Sequence, residues 1–185
     1  LEKRIQGRND DSNLSVEGEG QARLLGRSLA NIELDAVYSS PLKRALSTAT
    51  TLLNAQKSKL TPIQDNELME VDLSPWSGLT VNEVKEKFPK EYQTWKKDPT
   101  ELILSRADGT CYKPLEELAN QADSFVKGII ERHPCNTDSV VLVVAHTAIL
   151  RSLIIHLLEK PSNGFRRIHL DNSSLSVFNL KPLSN

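Results

Sequence analysis

Val140-Val141-Leu142-Val143-Val144-Ala145-His146-Thr147-Ala148-Ile149-Leu150 decides the fold. Its first five residues are apolar and mostly β-branched, too few for a stable helix. They read as a strand buried on both faces, the kind found in parallel sheets. After Ala145 the pattern changes, and Thr147 to about Leu158 repeats apolar residues at helical spacing. His146 therefore sits at the carboxyl end of a strand, just ahead of a helix. Ligands of open α/β sheets bind at such ends, where the helix offers unpaired backbone N–H groups to an anion. A histidine in this position either touches such a ligand or merely caps a loop.

The flanking sequence repeats the strand–helix alternation. Ser15 is placed to cap a helix with Glu17 and Glu19 in its first turn, where negative charge suits the helix dipole. Ala22, Leu25, Gly26 and Leu29 mark its inner face. Asp35–Ser39 reads as a short strand, and Ser40-Pro41 opens a helix whose buried stripe is Leu42, Ala45, Leu46, Ala49 and Leu53. Thr61–Asp65 suggests another strand, Glu67–Leu79 a loop with Pro75 and Gly78, and Val81–Phe88 and Lys90–Lys97 two short helices stopped by Asp98-Pro99. Ser105–Cys111 reads as exposed loop, Leu115–Arg132 as a helix ended by His133-Pro134, Pro161–Gly164 as a turn and Ser174–Leu180 as a closing strand. Strands alternating with helices predict an α/β fold, a three-layer α/β/α sandwich around a mostly parallel sheet.

Composition bounds the function. The chain has 185 residues, 38% hydrophobic and 25% charged, with a net charge of −1, as expected for one globular domain over residues 1–185. That balance gives no electrostatic case for a nucleic-acid or membrane partner. Cys111 and Cys135 lack metal-ligand spacing and read as free thiols, which points to a reducing, cytoplasmic compartment. No phosphate loop, Gly-x-Ser-x-Gly elbow or His-Glu-x-x-His motif is present in the sequence. What remains is charge at strand ends and helix starts. Arg44 lies just inside the helix after Tyr38-Ser39-Ser40, on the sheet edge that His146 occupies, although a solvated arginine would look the same. Glu70 precedes apolar Val71, Leu73 and Trp76, surroundings that raise a carboxyl pKa and suit a general acid; otherwise it is a surface carboxylate.

Taken in order, four blocks resemble the histidine phosphatase superfamily, the phosphoglycerate-mutase-like family, over nearly the whole chain. They are Arg4-Ile5-Gln6-Gly7 through Asp10 with Leu14-Ser15, Gly18 and Gln21-Ala22; Tyr38-Ser39-Ser40-Pro41-Leu42-Lys43-Arg44-Ala45 with Thr48-Ala49; Leu68-Met69-Glu70 with Trp76-Ser77-Gly78-Leu79; and Val144-Ala145-His146. Met69-Glu70-Val71-Asp72-Leu73 and Trp95-Lys96-Lys97-Asp98-Pro99 are similar to two-domain cyanobacterial members and to plastid relatives that include 2-carboxyarabinitol-1-phosphate phosphatase. The resemblance implies hydrolysis of a small phosphorylated metabolite, a sugar phosphate or phosphoglycerate-like acid, without metal or cofactor. It implies that Arg44 grips the phosphoryl group and that His146 donates to it. Gln6, Gly7 and the helix start at Thr147 would line the substrate side, and Glu70 would protonate the leaving oxygen before activating water. A homodimer or a second phosphatase domain is a further expectation.

The family's nucleophile is another histidine, in an arginine-histidine-glycine motif at the end of the first strand. None of His133, His146, His156 and His169 stands in that context. That strand and motif are expected immediately upstream of Leu1, so the chain reads as an N-terminally truncated domain that by itself forms no phosphohistidine. Thr147-Ala148 stands where many relatives have glycine, and Cys111-Tyr112-Lys113-Pro114 replaces a glycine-rich, glutamate-containing motif. The stretch from Glu70 to His146 is short for the lid of a mutase, which makes mutase chemistry the alternative and hydrolysis the expectation. A non-catalytic phosphate-binding module is the reading from a different class, and the joint presence of Arg44, Glu70 and His146 argues against it.

Overall fold

The structure is a computed structural model that describes residues 4–181. The main sheet has the order β2-β1-β5, with β1 Ala36–Ser39, β2 Ile63–Gln64 and β5 Val141–Val144 all parallel. In sequence the helices are α1 Val16–Ser28, α2 Lys43–Gln56, α3 Val81–Lys87, α4 Pro89–Lys97, α5 Pro114–Arg132 and α6 Thr147–Leu157. Strand periodicity sends alternate side chains to opposite faces. Val37 of β1 and Leu142 and Val144 of β5 pack with Ala49, Leu52 and Leu53 of α2 and Leu25 of α1. Ala36, Tyr38, Val141 and Val143 face the other way, into a larger core with α5 and α6. The result is the α/β/α layering expected from the alternation of elements.

Ser15 caps α1 by accepting the Gly18 N–H, as its position suggested. Gly26 then brings α1 against α2, since a Cβ there would lie 2.3 Å from the Leu52 carbonyl oxygen. Small residues at a helix contact permit such an approach, and any side chain would force the helices apart.

Four sequence expectations are corrected. The strand Val140–Val144 is covered on both faces but is not fully buried, because it lies at the edge of the described sheet and each residue of β5 keeps partial exposure. Pro41 does not open α2; the helix begins at Lys43, where a remote carboxylate, that of Asp10, accepts the Lys43 N–H at 2.5 Å. Ser105–Cys111 is not all loop: β3 Leu104–Ser105 and β4 Cys111–Tyr112 pair antiparallel around the turn at Asp108-Gly109. Ser174–Leu180 forms no strand. Among the described residues it pairs with no sheet edge, and Val177 is 82% exposed. Apolar alternation without a partner edge cannot satisfy a strand's backbone groups.

Candidate active site

Both β1 and β5 end at the same edge of the sheet, and their following helices start there. Arg44 is in the first turn of α2 and His146 is the N-cap residue of α6. The loop after β2 supplies Glu70, which the 3-10 turn Asn66–Leu68 and the fully buried Leu68 hold against the core. Parallel strand pairing places these groups together although they are far apart in sequence.

Arg44 is fixed by the chain's first turn. Its Nη1 donates to the Asn9 carbonyl and its Nη2 to the Gly7 carbonyl, each at 2.8 Å. Gly7 is buried and has a φ of +51°, a conformation glycine adopts at no steric cost. Burial lowers the Arg44 pKa somewhat, against the charges of Glu70 and Asp10. The guanidinium stays cationic, because an arginine does not lose its proton in proteins. Its remaining N–H groups are available to an oxyanion.

His146 is 8% exposed, and its Nε2 lies 2.8 Å from the Ser40 hydroxyl. Ser40 also accepts the Leu42 N–H at 3.3 Å. Burial first, and then the Arg44 charge, push the imidazole down to about 3, with Asp10 opposing. At neutral pH the ring is uncharged and carries one N–H. An incoming dianion beside it would favour the imidazolium and turn it into a stronger donor.

Glu70 is held at the start of α6. Its Oε1 accepts the N–H groups of Val71 at 2.9 Å, Ala148 at 3.2 Å and Ile149 at 3.3 Å, while Oε2 receives only Ala148, at 3.3 Å. Burial pushes the carboxyl upward; the three N–H groups and Arg44 pull it back without overcoming that push. Oε2, with fewer donors against it, is the oxygen better suited to carry a proton.

The helix N-terminus thus receives a carboxylate from the protein itself. The Ala148 and Ile149 N–H groups are thereby taken by Glu70. Thr147 lies exposed at the first residue of α6. Gln6 is exposed and donates to the Ser12 hydroxyl at 2.7 Å, whereas Gly7 contributes its carbonyl to the arginine. Of the sequence candidates, Arg44, Glu70, His146 and the Gly7 backbone come together, and Gln6 and Thr147 lie at the rim. Other histidines are engaged elsewhere: His133 is 3.1 Å from the Tyr38 hydroxyl, His156 is 3.9 Å from Asp123, and His169 is 3.1 Å from Asp171.

Sequence reasoning assigned no role to Ser40, Asp10, Arg8 or Gln121. Ser40 had a signal, a hydroxyl at a strand's carboxyl end. Gln121 had none, being one polar residue among many on α5.

Over residues 1–183 the chain matches the histidine phosphatase superfamily (branch 1). It belongs to that superfamily. Within it, the chain is 32% identical to Phosphoserine phosphatase 1 of Hydrogenobacter thermophilus, covering 95% of this chain and 78% of that protein. It is 34% identical to Probable 2-carboxy-D-arabinitol-1-phosphatase of Arabidopsis thaliana, covering 98% of this chain but 35% of that longer protein. Bacillus stearothermophilus YhfR superposes with a TM-score of 0.75 at 29% identity, over 88% of this chain and 75% of that one. These matches also fix the fold as phosphoglycerate-mutase-like α/β.

Proposed function

We propose that this histidine phosphatase domain belongs to a metal-independent phosphatase that hydrolyses a small phosphorylated metabolite through a phosphohistidine. The observation that carries the reading is the convergence of Arg44, His146 and Glu70 at one sheet edge, with burial raising the carboxyl and holding the imidazole neutral. A phosphoryl group in transfer spreads charge over its equatorial oxygens, and fixed cationic and N–H donors stabilise that charge best. Arg44 binds those oxygens and His146 donates to one of them. Glu70, protonated on Oε2, gives its proton to the leaving oxygen and then takes one from the attacking water.

The nucleophilic histidine comes, in this proposal, from a strand upstream of Leu1. Val140 and Val144 accept N–H groups from the β1 side, so the alternate residues Val141 and Val143 direct their backbone groups to the outer edge of β5. Among the described residues nothing pairs with that edge. A parallel strand laid along it would end beside His146. The relatives' names, phosphoserine and 2-carboxy-D-arabinitol-1-phosphate, favour a substrate with a carboxylate as well as the phosphate.

The test is trapping of the full-length protein with a 32P-labelled phosphomonoester, stopped with SDS at alkaline pH. A protein-bound label that survives alkali and is lost in acid is expected. Turnover with no such label would overturn the phosphohistidine route.

A further inference from the structure

The loop that carries Glu70 is gripped from outside by two side chains that do not face its carboxyl. Gln121, in the middle of α5, donates from Nε2 to the carbonyls of Glu67 at 3.2 Å and Met69 at 3.4 Å. Its Oε1 accepts from Arg8 Nη2 at 2.8 Å, and Arg8 Nε donates to the Glu70 carbonyl at 2.9 Å. The amide's orientation is dictated by its neighbours, because only an NH2 can face two carbonyls and only an oxygen can face a guanidinium. Both groups are half-buried, where such bonds are less screened than at the surface.

We infer that Gln121 and Arg8 are positioning residues for the general acid. Together they hold the carbonyls of residues 67, 69 and 70 and so fix the backbone from which the Glu70 side chain reaches the start of α6. The clamp joins three segments distant in sequence, the first turn, the acid loop and α5. Without it the carboxyl gains freedom to leave the buried place that raises its pKa. This inference rests on the reading of Glu70 as the acid. Gln121 and Arg8 themselves touch no reacting atom.

The experiment compares kcat/KM for an alkyl phosphate, whose departing oxygen needs a proton, with that for 2,4-dinitrophenyl phosphate, which does not need one. In the full-length protein, Gln121→Leu is expected to lower kcat/KM about tenfold on the alkyl ester, well short of the loss of a whole general acid, and to leave the nitrophenyl ester within about twofold. The basic limb of the pH profile on the alkyl ester should move to lower pH, since a carboxyl released to water loses the burial that raised it. Arg8→Met, at a half-exposed residue, makes the same comparison if Gln121→Leu fails to fold. Equal losses on both esters, or none on either, would overturn the inference. Glu70→Gln is run alongside. If it shows the leaving-group dependence and the clamp variants do not, only the clamp falls; if Glu70→Gln lacks it, the acid assignment falls and the clamp with it.

Discussion

Arg44 and His146 owe their chemistry to what surrounds them. The arginine is held by two carbonyls of the first turn, and the imidazole by Ser40 and by exclusion of water. Replacing Arg44 with alanine in the full-length protein should depress kcat at least a hundredfold, the scale of losing one fixed transition-state donor. Steady-state kinetics would show it, and an unchanged kcat would remove Arg44 from the phosphoryl site. The histidine also makes a prediction about stability. Its pKa is about 3 in the folded protein against an ordinary value of 6.5, so folding favours the neutral ring. The associated stability is complete above pH 6.5 and is lost as pH falls toward 3, at up to about 1.4 kcal/mol per pH unit. Between pH 7 and pH 5 the wild type should therefore lose about 2 kcal/mol more than His146→Asn in urea unfolding. Parallel losses in the two proteins would mean that the ring is not held neutral. Glu70 acts in the opposite sense. Its raised carboxyl stabilises the fold most below its ordinary value of 4.5 and gives that up as pH rises through the folded value.

Elements are placed by contacts that a helical or strand pattern does not reveal. The α1–α2 contact depends on Gly26, because a Cβ added there would lie 2.3 Å from the Leu52 carbonyl oxygen. Gly26→Ala would gain helix propensity but force the two helices apart, and overpacking of this kind costs about 1–3 kcal/mol. Denaturant midpoints measure the balance, and a stabilised variant would show that the interface yields easily. The start of α2 is equally non-local. Leu42, its N-cap residue, offers no side-chain bond, and the Asp10 carboxylate from the first turn accepts the Lys43 N–H instead. Sequence inspection placed the opening at Pro41, because proline at a helix start is a local signal and a remote carboxylate is not.

For the molecule as a whole, the outward edge of β5 is the feature on which the proposed mechanism turns. Val141 and Val143 direct N–H groups outward, and Val140 is 42% exposed. Among the described residues no strand pairs with this edge, and such an edge of β-branched residues is a template for another strand. If the full-length protein lays its nucleophile-bearing strand there, amide exchange at Val141 and Val143 should be fast in the chain starting at Leu1. It should slow by orders of magnitude in the longer protein, while Leu142, directed toward β1, changes less. Fast exchange at both valines in the longer protein would place the upstream segment elsewhere.

From the sequence alone came the alternation of elements, the strand–histidine–helix unit at Val140–Leu150, the cap at Ser15 and the candidates Arg44, Glu70 and His146, because each is written in local periodicity or in side-chain chemistry at an element's end. Tertiary structure decided that Glu70 takes the N–H groups of α6, that Ser40 meets His146, that Asp10 starts α2 and that Gln121 and Arg8 grip the acid loop. It also decided against a strand at Ser174–Leu180, despite its partial alternation. These are pairings between residues tens of positions apart. A hydrogen bond of that range depends on how layers pack, and no window of sequence contains both of its partners.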